Sequence, residues 1–361
     1  MKRMHRILAG LVCLTLTAMT LAACAGSEAS GNSSQNESTA PETTVIRLAR
    51  SSNGHVFNEI AREQGYLQDE GITVEYVDVG NDVEVFAGLA NGTIDVASNS
   101  GTNLPLERIA AGQDLTIFGG YMLTGCMPVF AKADAKWDGI QDLVGKRMAC
   151  EANLYAVSGP LRDRGYDPLT AVTWIPYENQ EDRIKAVLNG DVDFGLVGTS
   201  LNYEVNSNPE LKVLTYASDL MPAYSCCRVE ANTEWVNNNP NTVKALLRAW
   251  IRAKAYYDSH HDETVALIAE LVGESEEYVR AYMDNPHCDL NPDPMKKSVV
   301  RAWNYLDLIG ILSWNAKKIK IEEHINTELY KEALDECQEK YGSENPKFYE
   351  KMQAQYARND M

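Results

Sequence analysis

The chain has 361 residues, of which 45% are hydrophobic, 23% charged and 8% aromatic, with a formal net charge of −18. These proportions fit an ordinary globular protein of two or three domains and exclude disordered and collagen-like classes. So acidic a surface repels nucleic-acid phosphates, and no stretch beyond the N-terminus reaches the roughly 18 apolar residues that span a bilayer.

Residues 1–23 read as a secretory signal, with Lys2, Arg3 and Arg6 ahead of an apolar run from Ile7 to Ala23. The run ends Leu21-Ala22-Ala23-Cys24-Ala25, which resembles the bacterial lipobox. Cys24 is then the lipidation site, and its diacylglyceryl group supplies two acyl chains where one alone holds a protein only marginally. Loss of the three signal cations takes the net charge from −18 to −21. Residues 24–44 are expected to be a lipidated flexible tether, because small and polar residues cannot bury enough apolar surface to offset chain entropy.

A repeat dominates the next 200 residues. Val45 to Arg50 reads as a β-branched strand, Ile60 to Tyr66 closes a helix, and Ile72 to Val79 alternates as a second strand. Leu89 to Ala97 then ends a helix, stops it at Asn91-Gly92 and opens a buried strand. The same order returns with Lys146 to Cys150, a helix ending at Arg164-Gly165-Tyr166, Val172 to Tyr177, and Val187 to Gly195. Gly65-Tyr66 and Gly165-Tyr166 stand 100 residues apart. A β-α-β-α-β unit at 45–98 and again at 146–197 predicts two similar α/β lobes built on parallel sheets. Four further helices are expected at Asn241 to Ser259, Asp262 to Leu271, Met295 to Leu312 and Thr327 to Tyr341, packed outside one lobe. Trp250, Tyr256, Tyr257 and Trp303 within them face the core.

Eight cysteines reduce to six once Cys13 leaves with the signal and Cys24 takes lipid: Cys126, Cys150, Cys226, Cys227, Cys288 and Cys337. An exported chain allows them up to three disulfides, with small buried thiols as the alternative. None has CxxC spacing, so no zinc or redox motif is expected. Cys226 and Cys227 are expected on opposite faces of a strand.

Parallel α/β sheets bind ligands outside the carboxyl ends of their strands, where loops converge and helix N-termini present unpaired N–H groups. That rule nominates Ser51 to His55 and Ser98 to Asn103 in the first lobe, and Glu151 to Tyr155 and Val197 to Ser200 in the second. All four are rich in hydroxyl and amide groups and poor in charge. The candidate ligand contacts are Ser52, Asn53, His55, Asn99, Ser100, Thr102, Asn153, Tyr155 and Thr199. Tyr121 and Tyr224, near the expected hinges, either line the pocket or pack in the core.

The run from Ala61 to Glu75 resembles the opening of the nitrate/sulfonate/taurine and thiamine-precursor family of ABC-transporter substrate-binding proteins. Asn91-Gly92-Thr93-Ile94-Asp95-Val96-Ala97, Ala110 to Leu115, Asp142 to Ala149 and Asn189-Gly190-Asp191-Val192-Asp193 continue the likeness over about residues 45–260. The resemblance implies a periplasmic-binding-protein type II fold, with parallel or mixed sheets flanked by helices, a ligand cleft between two lobes and extra C-terminal helices. Lobe one would be 45–128 plus 224–361 and lobe two 129–223, joined by crossover strands near Met127 to Ala131 and Pro222 to Cys226.

It further implies a monomer on the extracytoplasmic face of a bacterial cell membrane, lipid-anchored, that delivers a small organic solute to an ABC permease and its ATPase subunits. No cofactor, metal or nucleic acid is implied. Where the family often has a glycine-serine pair, this chain has Ala152-Asn153-Leu154-Tyr155. Tyr155 suggests ring stacking and disfavours a small inorganic anion, leaving a sulfonate or carboxylate, or an aromatic or heterocyclic solute. No arginine occupies the four segments, although Arg50 ends the first strand.

Two alternatives stand beside this reading: a sensory solute-binding lipoprotein not coupled to transport, and an enzyme like the thiamine-pyrimidine synthase, of whose cysteine motif Ser225-Cys226-Cys227-Arg228 is a fragment. The chain has no GxSxG, HExxH, phosphate-loop or GxGxxG pattern, and His260-His261 reads as a solvated face.

Overall fold

The computed structural model describes residues 40–50, 55–98 and 100–361. The signal, Cys24 and most of the tether, with Ser52, Asn53 and Asn99, lie outside the described residues. The far end of the expected tether is docked. The Glu42 carboxylate accepts from the N–H groups of Asn241 and Thr242 at 3.1 and 2.9 Å, capping helix Pro240–Ser259.

Among the described residues, eleven strands form two sheets. They are β1 (Val45–Arg50), β2 (Thr73–Asp78), β3 (Val96–Ala97), β4 (Leu115–Thr124), β5 (Pro128–Lys132), β6 (Arg147–Ala149), β7 (Thr173–Trp174), β8 (Phe194–Leu196), β9 (Leu211–Tyr216), β10 (Cys227–Asn232) and β11 (Asp289–Leu290). The first sheet has the order β2-β1-β3-β10-β4-β11 and the second β7-β6-β8-β5-β9. Within each, the repeat supplies three parallel strands: β2-β1-β3 and β7-β6-β8.

The sheets are mixed rather than parallel throughout. β10 runs antiparallel to β3 and β4, and β5 antiparallel to β8 and β9. These reversed strands are the ones by which the chain arrives from the other lobe. Pro128–Lys132, expected to include a crossover, is a full member of the second sheet, which leaves residues 125–127 as the first connection.

Burial explains why these strands form. In the second lobe, Val129 and Ala131 pack with Met148 and Cys150 on one face, while Phe130 and Ala149 pack with Ile184 and Val187 on the other. A strand covered on both sides must be apolar at every position, which is why these segments read as continuous runs.

The repeat also closes with the same clasp in both lobes. Gly92 and Gly190 end their helices in the left-handed region, at φ 74° and 82°. The next strand then enters with Asp95, whose carboxylate accepts from the Arg47 backbone N–H at 2.7 Å and from its guanidinium at 2.9 and 2.5 Å. Asp193 does the same with Arg147, at 2.9 Å to the backbone and 3.2 Å to Nε.

The C-terminal helices extend the core of lobe one, with Trp250, Tyr257 and Trp303 buried among it. They are not confined to that lobe, as had been expected. Tyr305 of helix Lys296–Ile309 donates to Asp163 of helix Tyr155–Asp163 at 2.6 Å, and Asn202 of lobe two donates to the Ala281 carbonyl at 2.8 Å. Two helices that the spacing did not suggest, Glu276–Met283 and Pro346–Asn359, complete this layer. No described helix is long and apolar enough to cross a membrane.

Candidate functional site

A cavity of about 590 Å³ lies between the lobes. Its wall draws on the loop after β3, the end of β4, both connections between the lobes, and the loops after β6, β7 and β8. The loops after β3, β6 and β8 that the sequence rule nominated are among those that form this wall.

Thr102 is held by its backbone N–H and its hydroxyl, which both donate to the Cys226 carbonyl, at 2.9 and 3.2 Å. That stitches the loop after β3 to the returning connection. Tyr224 lies across both connections: its hydroxyl donates to the Gly125 carbonyl at 2.9 Å and accepts from the Gly125 N–H at 3.1 Å. Gly125 has to be glycine, since a Cβ there would sit 2.5 Å from Thr199 Oγ1 and 2.8 Å from Cys226 Sγ.

From the other lobe, Asn153 donates to Glu107 at 2.8 Å, a hydrogen bond across the cleft. Burial pushes the Glu107 carboxyl up, and the bonds from Asn153 and Asn103 oppose it. Tyr155, almost wholly buried, bonds through its hydroxyl to the Ser225 carbonyl and to Ser225 Oγ.

Of the eleven expected contacts, Thr102, Tyr121, Asn153, Tyr155, Thr199 and Tyr224 line this cavity. Ser100 lines a second cavity of about 380 Å³, whose wall shares Asp82, Glu178, Gln180 and Ser200 with the first. His55 lines neither. It is the N-cap of helix Val56–Glu63, its Nδ1 accepting from the Asn58 N–H at 3.2 Å, and its ring is sandwiched between Tyr121 and Trp250 at 4.2 and 4.4 Å. Burial holds its pKa down at about 3, so the ring is neutral.

The reading of the cleft as poor in charge is corrected. Asp82, Glu151, Glu178 and Arg183 all line the larger cavity. Arg183 donates to both oxygens of Glu151 at 2.7 and 2.9 Å and to the Leu196 carbonyl at 3.2 Å. Asp82, Tyr177, Glu178 and Gln180 had a legible signal: they follow β2 and β7, whose carboxyl ends the same rule covers. Arg183 and Tyr282 sit inside helices and had none.

Cys226 and Cys227 are not on opposite faces. A register shift after Cys227 brings their sulfurs to 3.5 Å, both at the cavity wall. The hydrogen bond from Cys227 chiefly lowers the Cys226 thiol pKa, helped by Tyr224 and opposed by burial. All six described cysteines are free thiols, and among the described residues no cluster of three or more His, Cys, Asp or Glu could hold a metal ion.

The family profile described as NMT1/THI5 like matches residues 53–264. The chain belongs to this family. No curated protein matches the sequence. Its structure is similar to the periplasmic aliphatic sulphonate binding protein SsuA from Escherichia coli, with TM-score 0.63 and 18% identity over 75% of this chain and 89% of that one. The periplasmic nitrate-binding protein NrtA from Synechocystis PCC 6803 gives 0.64 and 17%, over 82% and 89%. The ligand binding component of an ABC-type import system from Staphylococcus aureus gives 0.63 and 13%, over 81% and 99%. At these identities the likeness establishes the fold, that of periplasmic binding proteins.

Proposed function

We propose that this family member is the extracytoplasmic solute-binding component of an ABC importer, lipid-anchored through Cys24 and acting as a monomer. Its task is to capture a small organic solute between the lobes and present it to a permease. The observation that carries this reading is a cavity whose wall comes from both lobes and both connections at once. A solute there touches every part that would have to move.

Lobe one would comprise 45–128 and 224–361, and lobe two 129–223. Short connections at 125–127 and 217–226 suit a hinge, and solute affinity for the closed form would shift the equilibrium toward it. In the second connection, Arg301 holds the carbonyls of Pro222 and Ala223 at 2.9 and 2.6 Å, with Ala223 at φ 52°. A binding role rather than catalysis is favoured because His55, the one buried histidine among the described residues, is spent on a cap and a ring stack.

Deleting the chain from its host is expected to abolish uptake of the solute, whereas a sensory role would leave uptake intact. In calorimetry, Asn153→Ala and Thr199→Ala should weaken binding at least several-fold. Tyr155→Ala is a poor probe, because loss of a buried, hydrogen-bonded ring costs about 3–5 kcal/mol of stability. Full affinity in both of the first two variants would place the solute elsewhere.

A further inference from the structure

We propose that the cleft takes an organic cation, a solute carrying an ammonium or amidinium group, and disfavours sulfonates and nitrate. This rests on the solute-binding reading above and names the class of its solute.

The two adjoining cavities present carboxylates from both lobes. Asp82 comes from lobe one, and Glu151, Glu178 and Glu181 from lobe two. Arg183 is the only cation among the described residues that line them, and both oxygens of Glu151 already meet it. Arg108 lies over the Phe86 ring at 5.5 Å and lines neither cavity; burial raises the Asp82 carboxyl, and the Ser100 hydrogen bond and the Arg108 charge oppose that rise. Ser51 to Gly54 and Asn99 carry no charge, and counting Arg50 as well would still leave the carboxylates in excess.

Helix N-termini aimed at a cleft usually favour anions, each acting as roughly half a positive charge. Here the helices that follow β2 and β7 carry their own acids in the first turn: Asp82 and Glu84 in one, Glu181 and Asp182 in the other. Whole negative charges outweigh partial positive ones. An anionic solute would meet carboxylates on both sides with no free cation to answer it.

The buried polar groups at this wall are already committed or enclosed. The Arg183 side chain is 8% exposed and its Nε has no partner, although its other nitrogens are used. That Nε has essentially no accessible surface, so it is enclosed by the protein rather than presented to a solute. The rings of Tyr155 and Tyr224 at the same wall have their hydroxyls committed to Ser225 and Gly125. Each of these residues is 1% exposed, so the rings close the wall rather than offer a face for the stacking that the sequence suggested for Tyr155.

Closure sharpens the preference. Bringing Asp82 toward Glu178 costs repulsion unless a positive charge enters between them, so a cation would be the counter-ion that lets the lobes meet.

The test is a charge-matched panel read by calorimetry on the purified chain. Ethyl, benzyl and pyridylmethyl frames would each carry an ammonium, a hydroxyl or a sulfonate. On a frame that binds, the ammonium should be at least tenfold tighter than the sulfonate, and its affinity should fall as salt is raised. Asp82→Asn combined with Glu178→Gln should bring the two within threefold. If a sulfonate or an alcohol binds as tightly as its ammonium partner, the charge inference is overturned and the solute-binding reading stands. If no ammonium binds, the charge inference is likewise overturned, and the solute-binding reading is decided by uptake in the deletion strain.

Discussion

The two lobes start from one pattern and diverge where they face each other. In both, three parallel strands, an Asn-Gly helix stop and an Arg–Asp clasp recur, and the clasp atoms correspond one for one. At the cleft the likeness ends. The first helix of lobe one is capped by a histidine buried between two rings, while its counterpart in lobe two opens at Tyr155 without a side-chain cap. Lobe one is also thickened by the C-terminal helices, which share its core. A repeated backbone unit fixes how each lobe closes on itself, and leaves the residues on its open side free to differ.

The buried arginines should separate the lobes most widely. Arg228 of lobe one has no exposed surface and donates to the carbonyls of Asp293, Pro294 and Met122 at 2.9, 2.9 and 2.6 Å. Arg228→Ala orphans all three and leaves a cavity, so urea denaturation should show a loss of at least about 3 kcal/mol. Arg183→Ala in lobe two leaves behind a Glu151 that water can reach, and should cost only about 1 kcal/mol.

His55 should give lobe one a pH dependence below about 6.5. Its folded pKa, about 3, lies below the unfolded value near 6.5. Between those values the unfolded chain takes up a proton that the folded chain refuses. Stability should therefore fall by about 1.4 kcal/mol per pH unit below 6.5. His55→Asn keeps a good N-cap and should flatten that slope; an unchanged slope would mean that the ring is not excluded from water.

The clasps should differ by degree. The Asp95 side chain is 5% exposed and that of Asp193 is 33%. Asp95→Ala is expected to cost about 2–3 kcal/mol and Asp193→Ala about 1 or less. Equal losses would show that the clasps act through the backbone bond alone. The smallest effect lies on the acid limb. Hydrogen bonding from Arg147 holds the Asp193 carboxyl below its usual range. Its contribution is thus present above the unfolded carboxylate pKa, near 3.9, and is lost as pH falls through the lowered value. The gap in melting midpoint between the wild type and Asp193→Asn should narrow as pH falls below the ordinary carboxylate range.

The repeat, the strands buried on both faces and the glycine stops were legible because each depends on neighbours a few residues away in the chain. Six of the proposed contacts lie at the cavity because the carboxyl ends of strands in an α/β lobe face one way. His55 misled because a polar residue opening a helix looks the same whether it caps inward or faces a ligand; only Trp250, from a helix nearly 200 residues later, decides it. Cys226 and Cys227 misled because strand alternation fails at a register shift that pairing alone reveals.

By itself, then, the sequence determined two copies of one α/β unit and the ends at which they would meet. Tertiary structure alone decided what they meet with. The reversed strands β5 and β10 come from the chain's passage between lobes, and the charge of the cleft comes from Asp82, Glu151, Glu178 and Arg183 brought together across about 100 residues. Electrostatics acts through space, and no local pattern in a chain records which side chains will share a wall.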